Sequence, residues 1–188
     1  MSLPTGILTF CFTDVEGSSE LWERQPDAMA RALVWHDHLV AKTVEVHGGH
    51  LIKSMGEGDS TVSVFAHAGD AVAAAVSLQR ALLGDGDNEL GLAVRVGLNT
   101  GPAEQRDKTY FGSTVNLAAR LEGQSTGDDV IISAPVYSDP EVRELLRDEA
   151  SGFTSSRFEI PLKGFDEECF ELWRVARAST EPYAVASG

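Results

Sequence analysis

The sequence predicts an α+β fold built on a ferredoxin-like βαββαβ core. Segments of strand and helix character follow one another in the order strand, helix, strand, strand, helix, strand. A turn rich in glycine and acidic residues separates the two middle strands, which is typical of a hairpin. The chain has 188 residues, 43% of them hydrophobic, enough for one domain with a sizeable core. We therefore expect one antiparallel-rich sheet with the core helices on one face.

The first strand and the two helices after it form the first half of this core. Residues 7–12 are largely β-branched or aromatic and predict a buried strand. A short helix is expected at residues 17–22. A longer one runs from position 26 to about position 47, where Gly48-Gly49 ends it.

Three histidines lie on or near the long helix, namely His36, His38 and His47. Positions 36 and 38 point to different faces of a helix, whereas helical metal ligands share a face. We therefore expect these side chains at the surface or at an interface rather than as metal ligands.

The second half of the core is a hairpin, a helix and a closing strand. The hairpin strands are predicted at residues 50–55 and 60–66. An alanine-rich amphipathic helix follows at residues 69–83, and its small side chains indicate close packing against the sheet. Residues 92–99 form the closing strand.

Further elements follow the core. A charged loop leads to a helix at residues 113–121 that Ser113 can cap. The remaining elements are a short strand at 130–133, a helix at 138–147, and a closing pair of strands at 158–162 and 170–173. Past Arg177 the composition changes to Ala, Ser, Thr and Gly. We expect one domain over residues 1–177 and a disordered tail over residues 178–188.

The charge balance narrows the range of partners. Fifteen Lys and Arg residues against 29 Asp and Glu residues give a net charge of −14, which disfavours nucleic acid and anionic membranes. No apolar run reaches the ~18 residues that span a bilayer, and the N-terminus lacks the signal-peptide pattern. Cys11 and Cys169 form no disulfide framework, and we expect Cys11 to be buried. A cytoplasmic protein without membrane insertion is expected.

Asp14 stands where the first buried strand ends. A carboxylate fixed at the rim of a sheet suits a hard divalent cation, which takes oxygen ligands on rigid supports. Alternatively, Asp14 caps the helix that starts near Gly17. The residues of this strand leave both interpretations open.

The hairpin turn supplies a second aspartate, Asp59. Its two strands neighbour the first strand in such a sheet, so Asp59 can meet Asp14 at one rim. Two aspartates at a sheet rim suit a magnesium pair that bridges phosphates, and the carbonyl of Val15 offers a further oxygen. Alternatively, Asp59 serves only the turn, as aspartate often does.

Asn116 and Arg120 lie four residues apart on a predicted helix and so share a face. Arginine presents a planar cationic fork that suits phosphate, and asparagine offers a neutral donor or acceptor beside it. Such groups can position and stabilise the charge in a nucleotidyl transfer. Alternatively, the two residues belong to a solvated polar stripe.

Four segments, in this order, resemble the catalytic domain of the class III nucleotidyl cyclases. They are residues 12–18 (FTDVEGS), Gly58-Asp59, residues 95–101 (RVGLNTG) and residues 111–121 (FGSTVNLAARL). The similarity runs from about position 7 to position 173, and the Val-Asn-Leu-Ala-Ala-Arg block is its most specific part. By this resemblance the domain over residues 1–177 is identified as a cyclase catalytic domain.

The resemblance implies a homodimer whose active sites lie at the subunit interface. Asp14 and Asp59 would hold two divalent metal ions, Mg²⁺ or Mn²⁺, with the Val15 carbonyl assisting. Asn116 and Arg120 of the other subunit would orient the ribose and stabilise the pentavalent phosphorus.

The family's two base-selecting positions fall on Lys53 and Thr109, and Lys163 resembles the late lysine that contacts the nucleotide phosphates. Lysine with aspartate or threonine is the family's adenine-type pair, and glutamate with cysteine the guanine-type pair, so the resemblance favours ATP. The family places this lysine four residues before the second metal aspartate, whereas Lys53 precedes Asp59 by six. Two extra residues preserve the facing of a strand side chain. Alternatively, Glu57 takes the ligand role.

The implied activity is that of an adenylate cyclase, the metal-dependent conversion of ATP to 3′,5′-cyclic AMP and pyrophosphate. One alternative is a guanylate cyclase. Another is a weak or inactive cyclase-like module that binds nucleotide and regulates without turnover. A cyclic-dinucleotide synthase of related fold comes last, because its Gly-Gly-Asp/Glu-Glu-Phe hairpin is missing from the sequence.

Overall fold

The computed structural model describes residues 3–55, 59–84, 88–106, 109–162, 164 and 169–178. Seven strands form one sheet in the spatial order β2-β3-β1-β4-β7-β9-β8. They are β1 (Ile7–Val15), β2 (His50–Met55), β3 (Ser60–Phe65), β4 (Val94–Pro102), β7 (Asp129–Ser133), β8 (Phe153–Pro161) and β9 (Cys169–Arg177). Neighbouring strands are antiparallel except β4 and β7, which run parallel. The expected antiparallel-rich sheet is confirmed.

The α-helices of the described residues are α1 (Ser18–Arg24), α2 (Pro26–Val46), α3 (Ala68–Leu82), α4 (Ser113–Glu122), α5 (Ala134–Tyr137) and α6 (Pro140–Arg147). With α2 and α3 as the core helices, β1 to β4 complete the predicted βαββαβ order. Between β4 and α4 lies a separate antiparallel pair, β5 (Glu104–Arg106) and β6 (Thr109–Phe111). The prediction of a charged loop is wrong at these two strands.

Alternate residues of β1 face two different hydrophobic layers. Cys11 and Val15 pack with α2 and α3, whereas Phe10 and Phe12 pack with Ala118 of α4. Helix α4 therefore lies on the opposite face of the sheet from α2 and α3. The expected placement of the core helices α2 and α3 on one face is confirmed, and α4, which follows the core, covers the other face.

One side of β4 is shaped to receive α4. A Cβ atom at Gly97 would lie 2.6 Å from Cα of Glu122, so glycine alone lets the two backbones approach this closely. Asn99 Nδ2 donates a hydrogen bond to the carbonyl oxygen of Thr114 at 3.0 Å. A Cβ atom at Gly101 would meet Thr114 Oγ1 at 2.7 Å. Both ends of α4 are thus seated on this strand.

His36 lies in the interior of the protein. Its side chain is 0% exposed, because helical spacing places it on the same face as Met29 and Val40, which are also buried. Nδ1 lies 3.3 Å from Oδ1 of Asp37, and burial lowers the pKa of the imidazole. The surface prediction is wrong for His36, whereas His38 is exposed.

The closing strands are longer than predicted, β8 at its start and β9 at both ends. Strand β8 forms one edge of the sheet and carries a polar run, Thr154 to Arg157. Polar residues are tolerated there because no strand of the described residues pairs with its outer side. Of the predicted tail, only Ala178 belongs to the described residues, so the division into domain and tail stays a prediction.

We predict that Gly97→Ala destabilises the protein by about 3 kcal/mol or more, because the new methyl group meets the backbone of α4. Gly123→Ala is the matched control. Position 123 has φ −65°, and its Cβ would meet its nearest atom, the carbonyl oxygen of Arg120, at 3.6 Å. Chemical denaturation of both variants measures the difference. Equal stability of the two would contradict the seating of α4 on β4.

The two cysteines should differ in reactivity. Cys11 is buried, and burial raises the pKa of its thiol to about 12, whereas Cys169 is exposed. We predict that a thiol reagent at pH 8 modifies Cys169 of the native protein rapidly and Cys11 only after unfolding. Mass spectrometry of the modified peptides measures both rates. A Cys169→Ser variant supplies the control, in which rapid labelling should vanish.

Candidate active site

Asp14 lies at the end of β1, between β3 and β4. Its Oδ1 accepts a hydrogen bond from Ser60 Oγ at 2.5 Å, and its Oδ2 contacts the guanidinium of Arg95. Arg95 is the direct partner of Asp14 in the β1–β4 pairing, so the sheet itself sets this contact. The alternative that Asp14 caps α1 is wrong, because Gly17 holds the N-cap position and no side chain caps this helix.

Asp59 directly precedes Ser60, the residue that binds Asp14. Its side chain is partly buried. The charges of Asp14 and Asp59 both act on the ionisation of His36 and Glu122, so the two carboxylates share one region of the protein. The alternative ligand Glu57 lies outside the described residues.

The donor set suits a hard cation only in part. Among the described residues, no group of three or more His, Cys, Asp or Glu side chains converges on one point. A divalent ion here would therefore take a carboxylate pair together with backbone, water or substrate oxygens. Magnesium accepts such a set, because it usually keeps several waters and binds through one or two carboxylates plus phosphates. Val15 follows Asp14 on the strand, with its side chain buried under α2 and α3.

Arg95 and Glu122 are residues of this region that the sequence prediction missed. Arg95 Nε lies 3.1 Å from Glu122 Oε1, and the two side chains are 32% and 18% exposed. Burial raises the pKa of Glu122 to about 7, although the nearby Arg95 lowers it. A usable signal was present in the sequence. Arg95, Gly97 and Asn99 alternate along one strand, which places the arginine on the same sheet face as the α4 contacts.

Asn116 and Arg120 lie on the exposed face of α4. The opposite face carries Thr114, Ala118 and Leu121, which are buried. The two polar side chains are thus directed away from the core of their own chain. The helix also brings Arg120 to within one turn of Glu122, the residue that contacts Arg95.

Of the three residues predicted to contact the nucleotide, the structure describes the backbone of Lys53 and the position of Thr109. Lys53 belongs to β2 and pairs with Val62, and the β2–β3 register shifts between Leu51 and Lys53. The extra residue is Ile52, which precedes Lys53, so this irregularity does not account for the two additional positions between Lys53 and Asp59. Thr109 is an exposed residue at the start of β6. Lys163 lies outside the described residues.

A comparison with known families identifies the family of this domain. A family model described as the adenylate and guanylate cyclase catalytic domain matches residues 2–173. The chain belongs to this family. The predicted family is therefore confirmed.

Relatives of this cyclase domain have been found among curated proteins. An uncharacterized protein of Mycobacterium tuberculosis (strain ATCC 25618 / H37Rv) is 40% identical over 131 residues, which cover 70% of this chain and 44% of that protein. The adenylate cyclase of Lachancea kluyveri is 32% identical over 162 residues, which cover 72% of this chain and 9% of that protein. The chain thus spans less than half the length of these relatives.

Solved cyclase structures share the fold of this domain. Adenylate cyclases from Trypanosoma brucei in their monomeric state match with a TM-score of 0.82 at 24% identity, over 95% of each chain. The guanylyl cyclase Cya2 matches with a TM-score of 0.73 at 23% identity, over 98% of each chain. The predicted α+β fold class is confirmed. None of the helices in the described residues combines the length and apolar character that crossing a bilayer demands.

Proposed function

We propose that this cyclase domain converts ATP to 3′,5′-cyclic AMP and pyrophosphate at the interface of a homodimer. One observation carries the proposal. Asp14 is held on the rigid end of β1 by Ser60 and Arg95, near Asp59, while Asn116 and Arg120 are exposed on α4. One chain thus carries carboxylates that would hold the metal ions at the end of β1. On a different element, α4, it carries the groups that would stabilise the reacting phosphorus.

Asp14, Asp59 and the carbonyl of Val15 would hold two divalent metal ions, Mg²⁺ or Mn²⁺. The bound ions would lower the pKa of the ribose 3′-hydroxyl and neutralise the phosphates. The chain's part is to fix the carboxylates in place. Ser60 does this for Asp14 through one oxygen, whereas Arg95 contacts the other oxygen, where a metal ion would compete with the guanidinium.

The exposed position of Asn116 and Arg120 supports a site built from two chains. The Arg120 fork suits the equatorial oxygens of the phosphorus under attack, and Asn116 suits the ribose. Both side chains point away from the core of their own subunit. They would therefore act on a nucleotide bound by the partner subunit. A homodimer then contains two equivalent sites, each with Asp14 and Asp59 from one chain and Asn116 and Arg120 from the other.

Lys53 and Thr109 would contact the base, and Lys163 the phosphates. A lysine with a threonine suits adenine, which offers ring nitrogen acceptors and an amino donor, so ATP is the proposed substrate. Guanylate cyclase activity is the second candidate, because the fold is shared with adenylate and guanylyl cyclases alike.

Mixed dimers test the two-chain site. Asp14→Ala and Arg120→Ala should each reduce cyclic AMP formation at least about 100-fold, because one removes a metal ligand and the other the phosphate fork. An equal mixture of the two should regain about a quarter of the wild-type rate, because half of the dimers are mixed and each has one intact site. The exposed Glu159→Gln is the matched control and should leave the rate unchanged. A mixture that forms heterodimers but stays inactive would contradict the proposal.

Substrate choice gives an independent test. We predict that the purified domain with Mn²⁺ forms cyclic AMP from ATP with a higher kcat/KM than cyclic GMP from GTP. The double variant Lys53→Glu/Thr109→Cys should move the ratio of these kcat/KM values toward GTP by about 10-fold or more, because the hydrogen-bonding groups that face the base are replaced. Chromatographic measurement of both products decides the matter. A wild-type preference for GTP would replace the proposed activity with the second candidate.

A further inference from the structure

Three charged side chains form a continuous chain of contacts from β1 to α4. Asp14 contacts Arg95, and Arg95 Nε lies 3.1 Å from Glu122 Oε1. The exposed fractions of Asp14, Arg95 and Glu122 are 17%, 32% and 18%. In such a partly buried position, charges act on one another more strongly than at the open surface. One guanidinium therefore serves two carboxylates at once.

The far end of this chain of contacts lies in the last turn of α4. Glu122 is the last residue of α4, and its backbone packs against Gly97, where a Cβ atom would approach to 2.6 Å of its Cα. Arg120 lies in the same last turn of α4. A shift of Arg95 between its two carboxylates therefore acts on the helix turn that carries Arg120.

The near end of the chain of contacts is the carboxylate proposed to hold a metal ion. A cation bound to Asp14 competes with Arg95 for the same carboxylate and repels the guanidinium. Arg95 then interacts more with Glu122. Conversely, when the Glu122 charge is removed, Arg95 interacts with Asp14 alone. Asp14 then becomes a poorer ligand for a cation. These charges predict the sign of the coupling: a charged Glu122 favours cation binding at Asp14.

We infer that Arg95 and Glu122 are positioning residues that couple the two active sites of the homodimer. This inference rests on the proposed function, in which Asp14 belongs to one composite site and Arg120 of the same chain to the other. Metal occupancy at Asp14 then changes the placement of Arg120 in the neighbouring site. Neither Arg95 nor Glu122 needs to touch the reacting atoms for this effect.

A double-mutant cycle on Mn²⁺ binding tests the contact chain without any turnover. Free Mn²⁺ is measured at pH 8 by electron paramagnetic resonance in the absence of nucleotide, for wild type, Glu122→Gln, Arg95→Gln and the double variant. Glu122→Gln should weaken Mn²⁺ affinity roughly threefold or more in wild type, and by less than half that factor when Arg95 is already Gln. Equal factors in the two backgrounds would overturn the inference.

Three further variants control this cycle. Glu159→Gln removes a surface ion pair with Arg157 and should not change Mn²⁺ affinity. Asp14→Asn should abolish the binding that is measured, and binding that survives this change would overturn the inference. Arg95→Lys keeps the charge but lacks the fork that reaches two carboxylates, so it should behave like Arg95→Gln in the cycle. Thermal unfolding of each variant confirms that it is folded.

Coupling between the two sites has its own measurement. We expect binding of 3′-deoxy-ATP with Mn²⁺, a nucleotide that lacks the attacking hydroxyl, to show a Hill coefficient different from one in the wild-type dimer. In Glu122→Gln and in Arg95→Gln the coefficient should return to one, whereas Glu159→Gln should keep the wild-type value. A coefficient of one in wild-type protein that sediments as a dimer, or a coefficient that Glu122→Gln does not alter, would overturn the coupling. Both binding tests stay informative if the domain proves to be inactive on ATP, and sedimentation separates loss of coupling from absence of the dimer, so the two proposals can fail separately.

Discussion

The close approach of α4 to β4 is the contact on which the functional part of this structure depends. Gly97 removes the side chain that would otherwise separate the two backbones, and Asn99 holds the carbonyl of Thr114 at the other end of the helix. Because the helix is seated at both ends, its exposed face is presented at a defined angle. Asn116 and Arg120 lie on that face. The alternate residues Arg95, Gly97, Asn99 and Gly101 of β4 therefore form the surface on which α4 packs.

Electrostatics at the end of β1 follow from the same arrangement. The chain has a net charge of −14. A carboxylate at a sheet rim is therefore stabilised by a nearby cationic side chain or by a bound cation. Arg95 meets this need, since its position opposite Asp14 is set by strand register rather than by a flexible loop. Glu122 then shares the same guanidinium. Asp14, the carboxylate proposed to bind a metal ion, and the last turn of α4 are consequently parts of one charged cluster.

Much of the fold could be predicted from local patterns. Strand β1, the hairpin strands and the alanine-rich helix α3 have strong periodicity, and their observed positions lie close to the predicted ones. The sequence pattern does not reveal the pair β5 and β6, because each strand has only three residues and all three residues of β5 are polar. The spacing of His36 and His38 argues against a shared metal site and so favoured a surface or interface position, although the helical spacing of His36 from Met29 and Val40 indicates the buried face.

The sequence by itself determined the fold class, the family and the residue types available for nucleotide chemistry, because periodicity and short motifs are local properties of a chain. It also marked Asp14 and Asp59 as a carboxylate pair. Only the tertiary structure decided that Asp14 does not cap α1 and that α4 lies on the face opposite α2 and α3. It alone showed that Arg95 links Asp14 to Glu122. These features depend on which residues become neighbours across strands and between layers, and such neighbours are separated by many positions in the chain.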